Sequence, residues 1–163
     1  MGTAYAEQLR AKDARCRAAL SSLAPQLDWL EPFASAESGF RNKAKLVVGG
    51  TAAHPTLGIL DPCGRGVDLR DCGLYEPQLH DAIPHLADFV TAARLTPYDV
   101  PRRQGELKFL LVTASPTGAL MARIVLRSTA HLPQVRVALP ALHAALPHLD
   151  VVTVNLHPEH KAV

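Results

Sequence analysis

The sequence has few cysteines, no long apolar run and almost no net charge. Cys16, Cys63 and Cys72 are an odd number without framework spacing, which disfavours a secreted disulfide scaffold. No apolar stretch approaches the roughly 18 residues of a membrane span. The first twenty residues alternate charge with alanine and hold no signal-peptide core. Together these absences read as a soluble, cytoplasmic chain. A net charge of +2 does not announce a nucleic-acid binder; only its distribution could. There is no Gly-x-Gly-x-x-Gly and no phosphate loop. Ser115 lacks the glycine-flanked setting of a hydrolase nucleophile. Cys63 and Cys72 are not a closely spaced thiolate pair, and His157 and His160 lie beyond a predicted strand. This spacing does not by itself supply the convergent four-ligand set that zinc needs.

What is present suits a single globular domain over 1–163. The chain has 163 residues, 48% of them apolar and 20% charged, enough to bury a core. Residues 4–24 read as a helix with Leu9, Ala14, Cys16, Leu20 and Leu23 near one face, closed by Pro25. Cys16 on that face reads as inert packing. Residues 26–39 form a connector. Strands are predicted at 40–48 and Leu57–Leu60, followed by a loop over 61–75. A helix fits 77–95, with Pro84 marking its start or a bend. After a loop at 96–106, strands fit 107–113 and 121–127, joined at Ser115–Gly118. A helix over 131–147 and a strand at Val151–Leu156 complete the pattern. The fold class is α+β, a mainly antiparallel sheet with helices packed on one face.

Side chains alternate across a strand, so parity sorts the two sheet faces. In 40–48 the even residues include Phe40, Ala44, Leu46 and Val48, and the odd ones Arg41, Lys43 and Lys45. In 121–127 Ala122, Ile124 and Leu126 oppose Arg123 and Arg127. In register, these strands put five cations on one side, and Arg102, Arg103 and Lys108 could extend it. Such a face suits an anionic polymer. A solvated antiparallel face is also commonly charged, so both readings stay open. Phe40, Tyr98 and Phe109 are candidates to stack on bases or to fill the core, and parity turns Phe40 inward.

The run Gly39-Phe40-Arg41-Asn42-Lys43-Ala44-Lys45 carries a resemblance. So do Leu57-Gly58-Ile59-Leu60, Asp68-Leu69-Arg70-Asp71-Cys72-Gly73-Leu74-Tyr75 and Leu95-Thr96-Pro97-Tyr98-Asp99-Val100. Arg103-Gln104-Gly105-Glu106-Leu107-Lys108, Arg123-Ile124-Val125-Leu126-Arg127-Ser128 and Val151-Val152-Thr153-Val154-Asn155-Leu156-His157-Pro158 continue it in order. The chain resembles the bacterial 23S ribosomal RNA uracil-C5 methyltransferases, in the branch named for uracil(747).

The resemblance implies an enzyme that uses S-adenosylmethionine to methylate C5 of a uracil. A cysteine thiolate adds to C6, and the cofactor sits in a C-terminal Rossmann-like domain. None of the three cysteines matches the nucleophile's context, so no catalytic residue is assigned. The cofactor domain is expected to be absent and the chain alone inactive. The resemblance also implies a four-iron, four-sulfur (4Fe-4S) cluster on four cysteines. Cys72 matches one ligand, with Gly73 where the family usually has proline; Cys16 and Cys63 match none. Neither cofactor is expected on this chain alone. The end at His160-Lys161-Ala162-Val163 reads as a cut. The expected partners are 23S ribosomal RNA and the catalytic domain, with no membrane and no DNA. Arg41, Asn42 and Lys43 lead the RNA-contact candidates, followed by Arg103, Lys108, Arg123 and Arg127. A free-standing RNA-binding adaptor that lost the enzyme domain is the alternative reading.

Overall fold

A computed structural model describes residues 2–160; residues 161–163, at the end that reads as a cut, lie outside the described residues. The elements run α1 (Tyr5–Leu20), β1 (Lys43–Gly50), β2 (Pro55–Leu60), β3 (Gly66–Asp68), α2 (Pro77–Ala92), β4 (Leu107–Ala114), β5 (Leu120–Leu126), α3 (Leu132–Ala145) and β6 (Leu149–Leu156). The six strands form one sheet in the order β3-β2-β1-β4-β5-β6. Every pairing is antiparallel except β5 with β6, which is parallel. The α3 crossover makes that possible, since parallel neighbours need a long connection. The α+β class read from the sequence is the observed one.

One face of the sheet is apolar. Ala44, Leu46 and Val48 of β1 meet Leu57 of β2, Leu110 and Val112 of β4, and Ala122 and Ile124 of β5. Leu79, Ile83, Leu86 and Val90 of α2, and Val135, Ala138 and Leu142 of α3, close over them. Full burial of each large aliphatic side chain stabilises the fold by about 1.5–3 kcal/mol. The i, i+4, i+7 spacing of α2 is why that helix lies flat on the sheet.

Several expectations change on contact with the fold. The helix at 77–95 does not begin at Pro84: α2 starts at Pro77 and runs through Pro84. Pro77 in the first turn lacks only an N–H that would be unpaired anyway, and α2's buried stripe holds the helix across the second proline. The loop at 61–75 contains β3, too short to show as a pattern among glycines. The strand at 40–48 begins only at Lys43, so parity does not reach Phe40, which is 47% exposed. Tyr98 and Phe109 are buried instead.

The helix near the N-terminus also differs. No residue of α1 is buried, and Cys16 is exposed rather than packed. Its half-buried positions are Tyr5, Leu9, Asp13 and Arg17, four apart. Asp13 and Arg17 pair at 2.8 Å and interrupt the apolar stripe. The helix binds its own following segment instead: the Tyr5 hydroxyl accepts from the Ser35 N–H at 2.9 Å, and Arg17 lies over the Trp29 ring at 4.8 Å. Among the described residues, none before Ala44 enters the core.

Candidate nucleic-acid interface

The sheet face opposite α2 and α3 is built from three cross-strand rows. Lys43, Thr113, Met121 and Val151 form the first; Lys45, Leu111, Arg123 and Thr153 the second; Val47, Phe109, Val125 and Asn155 the third. Across β1, β4, β5 and β6 these rows contain Lys43, Lys45 and Arg123 and no carboxylate; the third row runs on through Gly58 to Asp68 of β3, which is paired with Arg70. Charge of one sign with no opposing acid raises the local potential and favours a polyanion. Phe109 supplies an apolar floor, and the Lys45 ammonium sits 4.5 Å above its ring. That contact holds the lysine stem over the sheet while leaving Lys45 exposed.

Of the five cations expected on this side, three stand on strands there. Arg41 and Asn42 precede β1 and are exposed. The Arg41 N–H donates to Leu74 O at 2.8 Å, and its carbonyl accepts from the Glu76 N–H at 3.1 Å. The Asn42 carbonyl accepts from the Ala114 N–H at 2.8 Å. Backbone bonds thus fix this entry and leave both side chains outward. Arg127 lies just past β5, with Nε 3.7 Å from Glu106 Oε1. Its Nη1 donates to the carbonyl of Arg103 at 3.4 Å. Glu106 also accepts from the Ser128 N–H at 3.0 Å and hydroxyl at 2.8 Å. Arg103 and Arg127 therefore form a second cluster with its own acid.

Lys108 is only 2% exposed. It sits at the irregularity between Leu107 and Phe109 that shifts the β4–β5 register. Its ammonium donates to His157 Nδ1 at 2.9 Å and to the Glu159 carbonyl, and lies 4.6 Å over the Tyr98 ring. Burial pushes its pKa below the usual lysine value, against the pull of the Glu159 charge. Lys108 therefore ties β4 to the segment after β6, and its side chain is not at the surface where a phosphate could reach it.

Cys72 is half-buried and packs against the core in the loop between β3 and α2. Its N–H donates to the Leu69 carbonyl at 3.1 Å. An open cavity of about 620 Å³ adjoins it, lined by Asp68, Leu69, Arg70, Asp71 and Pro84. Among the described residues no three His, Cys, Asp or Glu side chains converge to hold a metal. One thiolate does not fit a cluster that needs four.

No family model matches the chain. Individual proteins do. The 23S rRNA (uracil(747)-C(5))-methyltransferase of Halothiobacillus neapolitanus is 47% identical over 160 residues, covering 98% of this chain and 42% of that protein. The Escherichia coli (strain K12) enzyme of the same name is 46% identical over 158 residues, 96% of this chain and 42% of its own length. The chain is homologous to part of these methyltransferases. It spans less than half the length of the relatives it matches. The solved Pyrococcus abyssi tRNA (uracil-54, C5)-methyltransferase, in complex with S-adenosyl-L-homocysteine, shares the fold. It aligns with a TM-score of 0.68 at 16% identity, over 99% of this chain and 36% of that one.

Strand parity alone brings Lys43, Lys45 and Arg123 together. It misses Thr153 and Asn155, because it carries no signal that β6 runs parallel to β5. No helix is long and apolar enough to cross a membrane among the described residues.

Proposed function

We propose that this chain is the RNA-recognition part of an S-adenosylmethionine-dependent methyltransferase that modifies C5 of a uracil in 23S ribosomal RNA in the cytoplasm. The observation that carries the reading is the run of rows across β1, β4, β5 and β6 that bears Lys43, Lys45 and Arg123 without an acid, on a chain homologous to part of those enzymes. Phosphates supply affinity for such a face through counterion release. Arg41 and Asn42 at the mouth of β1 extend it, and Arg103 and Arg127 lie in a second, acid-balanced group. Tethering the RNA beside a catalytic domain lets methyl transfer proceed there, where the cofactor supplies the methyl group. Alone, the chain binds RNA and transfers no methyl. The cluster of the resemblance belongs to the parent enzyme, with Cys72 as the one matching position.

The test is fluorescence anisotropy with a labelled transcript of the 23S rRNA segment spanning uracil 747, run with and without competing duplex DNA of equal length. A parallel assay supplies radiolabelled S-adenosylmethionine. The expected result is RNA binding that duplex DNA does not displace, with no methyl incorporation. Failure to bind the transcript would overturn the reading, and methyl incorporation by the chain alone would overturn its inactivity.

A further inference from the structure

Among the described residues four arginines are half-buried: Arg17, Arg70, Arg123 and Arg127. Three of them have a carboxylate, Asp13, Asp68 and Glu106 in turn. Arg123 has none. Its Nε is buried without a hydrogen-bond partner. Thr153, its register partner on β6, leaves its Oγ1 buried and unpartnered as well. Two adjacent donors with nothing to donate to, in a cross-strand row without acids, are poorly satisfied by the protein alone. The missing partner is an acceptor, and on this face an anionic one.

We propose that Arg123 and Thr153 seat one phosphodiester of a bound RNA strand, which crosses the sheet along the row Lys45, Leu111, Arg123, Thr153. This deepens the proposed function and rests on it. A guanidinium fork matches two phosphate oxygens, and the threonine hydroxyl donates to the same group. Lys45 stands about 10 Å away, two strand spacings along the row, and takes a neighbouring phosphate. Because Nε and Oγ1 are shielded, seating requires Arg123 to lift from β6. No carboxylate holds it down. Leu111 between the two cations keeps the crossing apolar beneath the sugar and base.

The test uses the 163-residue chain and the same 23S transcript. Thr153→Val removes the hydroxyl at nearly constant shape, and Arg123→Lys keeps the charge but loses the fork. Each should weaken binding about tenfold, the scale of a lost hydrogen bond to a charged group. The slope of log affinity against log salt should stay as in wild type, since no charge is removed. Thr153→Ser should bind within about twofold of wild type by the same reasoning. In a 15N-labelled chain the Arg123 Nε–H resonance should shift on adding RNA but not on adding inorganic phosphate at equal ionic strength. Wild-type affinity for both Thr153→Val and Arg123→Lys overturns the seat, as does saturation of the resonance shift by phosphate alone. If those variants bind normally while Lys43→Ala/Lys45→Ala weakens binding, the seat falls and the RNA-binding face stands. If wild type shows no salt-dependent RNA binding, both fall.

Discussion

Lys45 and Arg123 stand on one cross-strand row, separated only by Leu111, and no acid stands in that row. Arg127, four residues beyond Arg123, is held by Glu106. The two arginines thus have opposite settings. One is neutralised within the fold, and the other is left for a partner.

Glu106 closes the turn after β5 as well as pairing Arg127. Its carboxylate accepts two hydrogen bonds from Ser128 and is almost wholly buried. Glu106→Ala should destabilise the chain by about 1–3 kcal/mol, the usual cost of stranding buried polar groups. Urea unfolding reads this directly. A loss below a few tenths of a kcal/mol would show that water replaces the carboxylate.

Gly105 precedes that glutamate at φ +100°. A Cβ there would lie 2.1 Å from the Pro97 carbonyl oxygen, which belongs to backbone paired with Leu107. Gly105→Ala should therefore cost at least about 1–3 kcal/mol from the backbone conformation alone. The melting temperature should fall by several degrees. Wild-type melting would mean that the loop at 96–106 moves aside freely.

Much of this was legible in the sequence, for physical reasons. Ala44, Leu46 and Val48 alternate with Lys43 and Lys45 because one face meets helices and the other does not, and that alternation alone places three cations together. What parity cannot show is where a strand begins, and so it misplaced Phe40. It also cannot show the direction of β6, on which the pairing of Arg123 with Thr153 depends. The spacing of Leu9, Ala14, Cys16, Leu20 and Leu23 suggested an apolar face for α1, but Asp13 and Arg17 occupy the inward line and leave Cys16 outside. Pro84 does not start α2, because burial of Ile83 and Leu86 outweighs the lost hydrogen bond.

Asp68 gives the chain an acid-sensitive contact. Burial pushes its pKa up, but hydrogen bonds from the Arg70 side chain and N–H outweigh that and hold it below its ordinary 3.8. A carboxylate depressed in the folded state stabilises above its unfolded value, and that contribution is lost as pH falls through the folded one. Asp68→Asn should therefore be less stable than wild type at pH 7, with the difference closing below about pH 3.8. Thermal unfolding across pH checks this. A constant difference at every pH would remove the charge from the explanation.

Cys72 alone cannot hold a four-iron cluster. Anaerobic reconstitution of this chain with iron and sulfide should give no cluster absorbance near the visible region, and Cys72→Ser should change nothing in that spectrum. A stoichiometric cluster on the wild-type chain would contradict the fit argued for its cysteines.

The central claim is that the face bearing Lys43, Lys45 and Arg123 binds RNA through phosphates. The measurement that tests it most directly is the salt dependence of affinity for the 23S transcript, in wild type and in Lys43→Ala/Lys45→Ala/Arg123→Ala. Each phosphate contact contributes about 0.7 to the slope of log affinity against log salt for a single strand. The account predicts weaker binding and a slope shallower by about two units in the triple variant. Equal slopes and equal affinities would contradict it.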